Sequence, residues 1–173
     1  MPLHNAKRVG PKRYQSYCYH SHLKTVQSLL KMKVKFQKLN SLAKAPEQAN
    51  PSDAGFDLTA SAVTYPAGSA GVFIEVCTGL SLEIPKGYVG LVFPRSSISN
   101  TRHFLRNSVG VIDSGYRGEV KLRFSVDDTN SAYQIGDKVG QIVFVKLPAI
   151  QMIESKDLSD SVRGSGGFGS SGR

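Results

Sequence analysis

Pro85-Lys86-Gly87-Tyr88-Val89-Gly90-Leu91-Val92-Phe93-Pro94-Arg95-Ser96-Ser97-Ile98-Ser99 sets the class of the fold. The first three residues make a turn, and the next six are rich in β-branched and aromatic side chains. Pro94 then ends the run before a polar stretch. A short run bounded in this way is a strand signature. It recurs in both directions along the chain. Val72-Phe73-Ile74-Glu75-Val76, Glu119-Val120-Lys121-Leu122-Arg123-Phe124 and Gln141-Ile142-Val143-Phe144-Val145 are further strand candidates. Met32-Lys33-Val34-Lys35-Phe36-Gln37-Lys38-Leu39 alternates apolar and polar residues as a first strand does. Pro66-Ala67-Gly68 and Gln134-Ile135-Gly136-Asp137 supply turns. Apart from one turn of helix near Ser96–Thr101, residues 32–173 carry no sustained helical period and no repeat. Many short strands with frequent turns predict an all-β jelly roll, a barrel or a sandwich.

The 173 residues suit one domain with a real core. No apolar run approaches the length of a membrane span. The net charge of +9 is unevenly placed. Residues 1–31 hold Lys7, Arg8, Lys12, Arg13, Lys24 and Lys31 and no acid, which leaves +3 for residues 32–173. The basicity belongs mainly to this extension, so nucleic acid is not an expected partner except through it. The extension is expected to be disordered or accessory, with the folded domain starting near Met32. Its composition gives weak support for a transit peptide, and it has no apolar signal core. Two cysteines, Cys18 and Cys77, make no disulfide framework, which points to a reducing compartment and a cytoplasmic protein. Cys77 sits in an apolar run and reads as a buried small hydrophobe. Cys18-Tyr19-His20-Ser21-His22 has metal-ligand residue types but fits no zinc spacing.

Five segments carry residue types suited to chemistry. Asp53-Ala54-Gly55-Phe56-Asp57 places two carboxylates around a Gly. Such pairs usually make turns, but a carboxylate near phosphates also suits a hydrated Mg²⁺. Arg95-Ser96-Ser97 follows a strand and offers a forked cation with hydroxyls to an anion. A capped turn with a surface Arg is the plain alternative. Asn107-Ser108-Val109-Gly110-Val111-Ile112-Asp113-Ser114-Gly115-Tyr116-Arg117-Gly118-Glu119-Val120 reads as a hairpin turning at Ser114-Gly115. Asp113 at its mouth could orient and deprotonate a water, and Tyr116 offers a flat face for a sugar. Taken alone, the segment is better explained by turn chemistry with a packed Tyr. Gln141 follows a tight turn into a strand and could reach a ligand, although an ordinary pleat position is commoner. Last comes Arg163-Gly164-Ser165-Gly166-Gly167-Phe168-Gly169-Ser170-Ser171-Gly172-Arg173. Its glycines and serines read as a flexible terminus, while Arg163 suits a phosphate and Phe168 a base. Walker spacing and a G-x-S-x-G elbow are absent, and His103 is the only His of residues 32–173.

In order, these five segments resemble the five motifs of the trimeric dUTPase family, across nearly all of residues 32–173. The resemblance implies a distorted jelly roll that forms a homotrimer with active sites at subunit interfaces. It implies a β domain over residues 32–157 and a flexible Gly-rich arm over 158–173. The reaction it implies is hydrolysis of dUTP to dUMP and pyrophosphate with Mg²⁺, keeping uracil out of DNA and supplying dUMP for thymidylate synthesis. By the same resemblance, Asp113 is the base that activates water against the α-phosphorus. Tyr116 packs on deoxyribose, while Asn107 and the backbone of Gly110, Val111 and Ile112 read uracil. Lys121 is a further substrate contact, and Arg95, Ser96, Ser97 and Gln141 meet the phosphates. Asp57 holds the metal through water. Arg163 meets the γ-phosphate, Phe168 covers uracil, and Gly169, Ser170 and Ser171 complete the arm. Ser97 stands where many members have Gly, and the extension has no counterpart in the shared domain. Two alternatives on the same fold are a dCTP deaminase and a nucleotide-dependent regulatory protein.

Overall fold

The structure is a computed structural model that describes residues 32–66, 73–126, 133–170 and Gly172. Residues 1–31, Ala67 and Gly68 of the Pro66 turn, Val72, Ser171 and Arg173 lie outside the described residues. The described strands are β1 (Lys35–Lys38), β2 (Phe56–Thr59), β3 (Ala62–Thr64), β4 (Phe73–Glu83), β5 (Tyr88–Phe93), β6 (Phe104–Leu105), β7 (Gly110–Ile112), β8 (Glu119–Ser125) and β9 (Lys138–Lys146). A 3₁₀ turn covers Ser96–Asn100 where one turn of helix was expected. One sheet runs β1-β4-β8-β6 with β3 also on β4, and the other runs β2-β9-β5-β7. All the pairings are antiparallel. The chain is therefore the all-β, distorted jelly roll that its pattern predicts.

The side-chain period of two decides what each strand buries. Along β8, Val120, Leu122 and Phe124 are buried, while Lys121 and Arg123 between them are exposed. On β4, Ile74 and Val76 are buried, and Phe73, Glu75 and Cys77 turn to the other face. The inward residues join Leu58, Leu80, Val139 and Ile142 in one core between the sheets. Each such side chain contributes roughly 1.5–3 kcal/mol on burial. The outward residues of β4 and β8 are left to build a surface.

A bulge in β4 breaks its register with β8 between Cys77 and Ser81. Gly79 at the bulge has φ +66, and its carbonyl accepts from Leu39 N–H at 2.7 Å. A Cβ there would meet Asn40 Nδ2 at 2.6 Å and the Ala43 Cβ at 2.7 Å. Both the backbone angle and the space therefore require Gly.

Three expectations change. The first strand starts at Lys35, and all four of its residues are exposed despite the alternation. It is an edge strand that pairs only with β4 among the described strands, and the half-buried apolar residues of the run, Met32 and Val34, lie ahead of it. Cys77 is half-buried, because it occupies an outward position of β4. Burial still pushes its thiol pKa up. Residues 107–120 are not a hairpin of mutually paired strands. Tyr116 N–H donates to Asp113 O at 3.0 Å and closes the turn, but β7 pairs with β5 and β8 pairs with β4 and β6. The turn is a crossing between sheets.

Candidate functional site

That crossing creates a cleft of ≈ 550 Å³ walled by Asn107, Val111, Ile112, Asp113, Tyr116 and Lys121, together with Glu75, Arg106, Glu119 and Arg123. Its first wall is β7, an edge strand that pairs only with β5. An edge strand presents unpaired main-chain donors and acceptors, a fixed pattern that a base edge can match. Gly110, Val111 and Ile112 are therefore placed to act through their backbone. Asp113 follows directly and is exposed, and among the described residues its carboxylate accepts no side-chain hydrogen bond. A carboxylate in that state is free to take a proton from water.

The turn after Asp113 is held tightly. Tyr116 hydroxyl donates to Glu119 O at 3.0 Å, which fixes the ring against the start of β8. Arg117 Nη1 donates to Ser114 O and to Tyr116 O, each at 2.8 Å, and reaches Leu82 O at 3.4 Å. Ser81 hydroxyl donates back to Arg117 O at 2.6 Å.

The opposite wall comes from the outward faces of β4 and β8. Glu75 and Arg123 are cross-strand partners. Arg123 Nε and Lys121 Nζ each donate to the Glu75 carboxylate at 2.9 Å. The Lys121 bond, then the Arg123 bond, hold the Glu75 carboxyl below its ordinary pKa, and the Glu75 bond raises the Lys121 ammonium. Glu119 Oε1 accepts from Gly79 N–H at 2.6 Å, so this carboxylate is committed to the bulge.

A second cleft of ≈ 310 Å³ lies in the other sheet, lined by Asp53, Gly55, Asp57, Arg95, Ser96 and Gln141 with Ala49 and Ala54. Strand register assembles it. Asp57 on β2 faces Gln141 on β9, and Gln141 faces Phe93 at the end of β5. Arg95 follows Phe93 by two residues and donates from Nε to Asp57 Oδ1 at 3.0 Å. Lys138 Nζ donates to Asp57 Oδ2 at 2.8 Å and lies 3.3 Å from Glu47 Oε1. The bond to Asp57 raises the Lys138 pKa. Gln141 Nε2 donates to Pro94 O at 3.3 Å, leaving its carbonyl oxygen uncommitted. Ser96 and Ser97 stand exposed on the 3₁₀ turn. A cleft lined by Arg95, the Ser96 hydroxyl and the carboxylates of Asp53 and Asp57, with Lys138 bonded to Asp57 beside it, suits a polyphosphate and its counter-ion.

The C-terminal segment stands apart from both clefts. Residues 145–165 are exposed throughout, and among the described residues the hydrogen bonds of 148–172 stay within that stretch. Gly164 at φ +52 and Gly169 at φ +92 make its turns, and Phe168 is fully exposed at φ +51. Arg163 Nε donates to Gly166 O at 3.0 Å. The structure thus brings Asn107, Val111, Ile112, Asp113, Tyr116 and Lys121 into one cleft and Asp57, Arg95, Ser96 and Gln141 into another, while Gly110 and Ser97 line neither. Arg163, Phe168, Gly169 and Ser170 join neither, and Ser171 lies outside the described residues.

Sequence reasoning missed Glu75, Arg106 and Arg123 in the first cleft and Lys138, which holds Asp57 beside the second. The strict alternation of β8 and its pairing to β4 would have found the first group. Lys138 carried no signal, because only the β2–β9 register brings it to Asp57.

The dUTPase family model matches residues 42–172. A deoxyuridine 5'-triphosphate nucleotidohydrolase of Thermobifida fusca is 36% identical over 146 residues, covering 82% of this chain and 79% of the relative. One from Yarrowia lipolytica is 38% identical over 147 residues, covering 82% and 90%. Among solved structures, the dUTPase of Staphylococcus bacteriophage 80alpha with dUpNHpp superposes with a TM-score of 0.66 at 24% identity, covering 82% of this chain and 99% of that one. A dUTPase mutant from phage phi11 of S. aureus, described with a coordinated structural Mg(II) ion, gives 0.61 at 22% identity, covering 72% and 97%. Both likenesses are of fold.

Proposed function

The chain belongs to the dUTPase family, and from that premise we propose that it hydrolyses dUTP to dUMP and pyrophosphate. The observation that carries this is the first cleft, where an open strand edge, a carboxylate with no side-chain hydrogen bond among the described residues and a tethered Tyr meet. The β7 edge with Asn107 reads uracil, because the wrong base leaves buried donors and acceptors unpaired. Tyr116 packs on the deoxyribose and denies room to a 2′-hydroxyl. Asp113 takes a proton from water as the water oxygen bonds to the α-phosphorus. The bond to the bridging oxygen breaks, and pyrophosphate leaves. Lys121 sits beside this path, held by Glu75.

The second cleft supplies phosphate contacts through Arg95, Ser96, Ser97 and Gln141. Binding exchanges Arg95 from Asp57 to a phosphate, while Lys138 keeps hold of the carboxylate. Among the described residues no cluster of His, Cys, Asp and Glu would cage a metal. One carboxylate at a polyphosphate cleft instead fits a hydrated Mg²⁺, whose other ligands are waters and phosphate oxygens. When bound, the ion neutralises phosphate charge and holds the chain's shape. Asp57 would hold it through water.

The two clefts share no lining residue, which supports a site completed between subunits of a homotrimer. Ile150, Met152, Ile153, Leu158 and Val162 are all exposed in one copy, apolar surface that assembly would cover. In the trimer the arm of residues 158–173 closes over dUTP. Phe168 covers the base, Arg163 meets the γ-phosphate, and Gly169, Ser170 and Ser171 fold along the chain of phosphates. Residues 32–157 form the catalytic domain, with 1–31 accessory. No helix among the described residues is long and apolar enough to cross a membrane. We place the reaction in the cytoplasm, where it keeps uracil out of DNA and supplies dUMP for thymidylate synthesis.

The test is pyrophosphate release from dUTP, dTTP, dCTP and UTP, with ammonia release from dCTP as control. Selective release from dUTP is expected, whereas ammonia from dCTP would move the chain to the deaminases. Mixing the impaired variants Asp113→Asn and Arg95→Ala after subunit exchange should raise turnover above that of the two measured separately, since some sites then take Asp113 and Arg95 from intact donors. No rise would count against the shared site.

A further inference from the structure

We propose that Gly118 is a positioning residue that sets sugar selectivity by leaving the only slot in which the Tyr116 ring can stand. The inference rests on the functional reading above, which gives Tyr116 the sugar. Gly118 has no backbone need to be glycine, since it is not among the positive-φ residues. It has a steric one. A Cβ on Gly118 would lie 2.5 Å from Tyr116 Cζ and 2.9 Å from Cε2, with the hydroxyl oxygen closer still. The three nearest atoms all belong to that one ring. Carbon atoms in contact sit at about 3.5–4.0 Å, so the ring would have to move by about an ångström.

The backbone cannot absorb that movement. Arg117 Nη1 ties the carbonyls of Ser114 and Tyr116 together, and Ser81 and Leu82 hold Arg117 to β4. The phenol is tethered to Glu119 O at 3.0 Å. Tyr116 is 44% exposed, so packing does little to hold it and these local contacts fix its place. With a methyl at position 118, the ring leaves its slot and gives up the tether. Its face then no longer stands where it would close off the 2′ position.

The experiment is kcat/KM for dUTP and UTP, by pyrophosphate release, on wild type, Gly118→Ala, Tyr116→Ala and the double variant, with melting curves for each. Gly118→Ala should cut the dUTP-to-UTP ratio by about tenfold or more, the scale of an ångström misplacement at a reacting centre. In the Tyr116→Ala background the same change should leave the ratio untouched, because the obstructed ring is gone. A Gly118→Ala variant that folds poorly should be rescued by the added Tyr116→Ala. An unaltered ratio in Gly118→Ala, or an equal fall in both backgrounds, overturns the proposal. Wild-type protein that releases nothing from dUTP sinks the functional reading instead. The Tyr116 ring resonances, shifted or unshifted by Gly118→Ala, then decide the placement on their own.

Discussion

The cleft at β7 and the cleft at Asp57 are made of different materials. The first is shape: a main-chain edge, a cross-tied turn and a ring fitted against a glycine. The second is charge: Arg95 and Lys138 divided over one carboxylate. Shape discriminates but does not adapt, since a wrong base or sugar meets groups that cannot move. Charge binds any polyphosphate, and it is already committed within the free protein, so binding is an exchange of partners. Under the proposed function, the difference would give selectivity to one cleft and affinity to the other.

The sharpest way to break this division is at Asp113. Asp113→Asn should lower pyrophosphate release by about 10²–10⁴-fold, the usual worth of a general base. Affinity for a non-hydrolysable dUTP analogue, measured by calorimetry, should hold. Undiminished turnover would remove the base from the shape cleft. Next in size is truncation after Val162, expected to cost about a hundredfold in turnover through lost positioning. The truncated protein should keep its melting temperature and its mass by light scattering, and full activity would return the tail to the status of a spacer. Smaller again is a paired comparison. Arg95→Ala should lower kcat/KM by roughly tenfold or more for dUTP and dCTP alike, as a charge-assisted bond of about 1.5–3 kcal/mol is lost. Asn107→Ala should instead narrow the gap between dUTP and dCTP. If the two variants show the same pattern, the division fails.

The smallest effect concerns stability alone. Glu75 is held below its ordinary pKa by Lys121 and Arg123. A carboxyl depressed in the folded state adds stability above its unfolded pKa and loses it as pH falls through the folded value. Glu75→Gln should therefore cost about 1 kcal/mol at neutral pH, given how exposed both cations are. The deficit against wild type should close as pH falls below the ordinary carboxyl value of 4.5. A deficit that stays constant in urea melts from pH 7 to pH 3 would show that packing, not charge, sets the difference.

Much of this was legible along the chain. The strands at Tyr88–Phe93, Glu119–Phe124 and Gln141–Val145 announce themselves by β-branched content and turns, and all three form within a residue or a few of the expected bounds. Most residues that line the clefts lie in four of the five segments, while Glu75, Arg106, Lys121 and Arg123 lie outside them and the C-terminal segment lines neither cleft. The errors have one cause. Residues 107–120 look like a hairpin because a turn is local, but which strands the flanks join depends on partners up to 50 residues away. Cys77 looked buried because its neighbours are apolar, yet the pleat sends it outward. The alternation of Met32–Leu39 half-buries Met32 and Val34 alone and leaves Lys35–Lys38 exposed.

By itself the sequence determined the fold class and the chemical inventory, because strand propensity, turn chemistry and side-chain type are properties of neighbouring residues. The tertiary structure alone decided the grouping. Only antiparallel register brings Lys138 to Asp57 and Arg123 to Glu75. Only the passage of one turn between two sheets sets Asp113 and Tyr116 against the outward face of β8. Register is fixed by which face must be buried, and that is settled by the whole core at once.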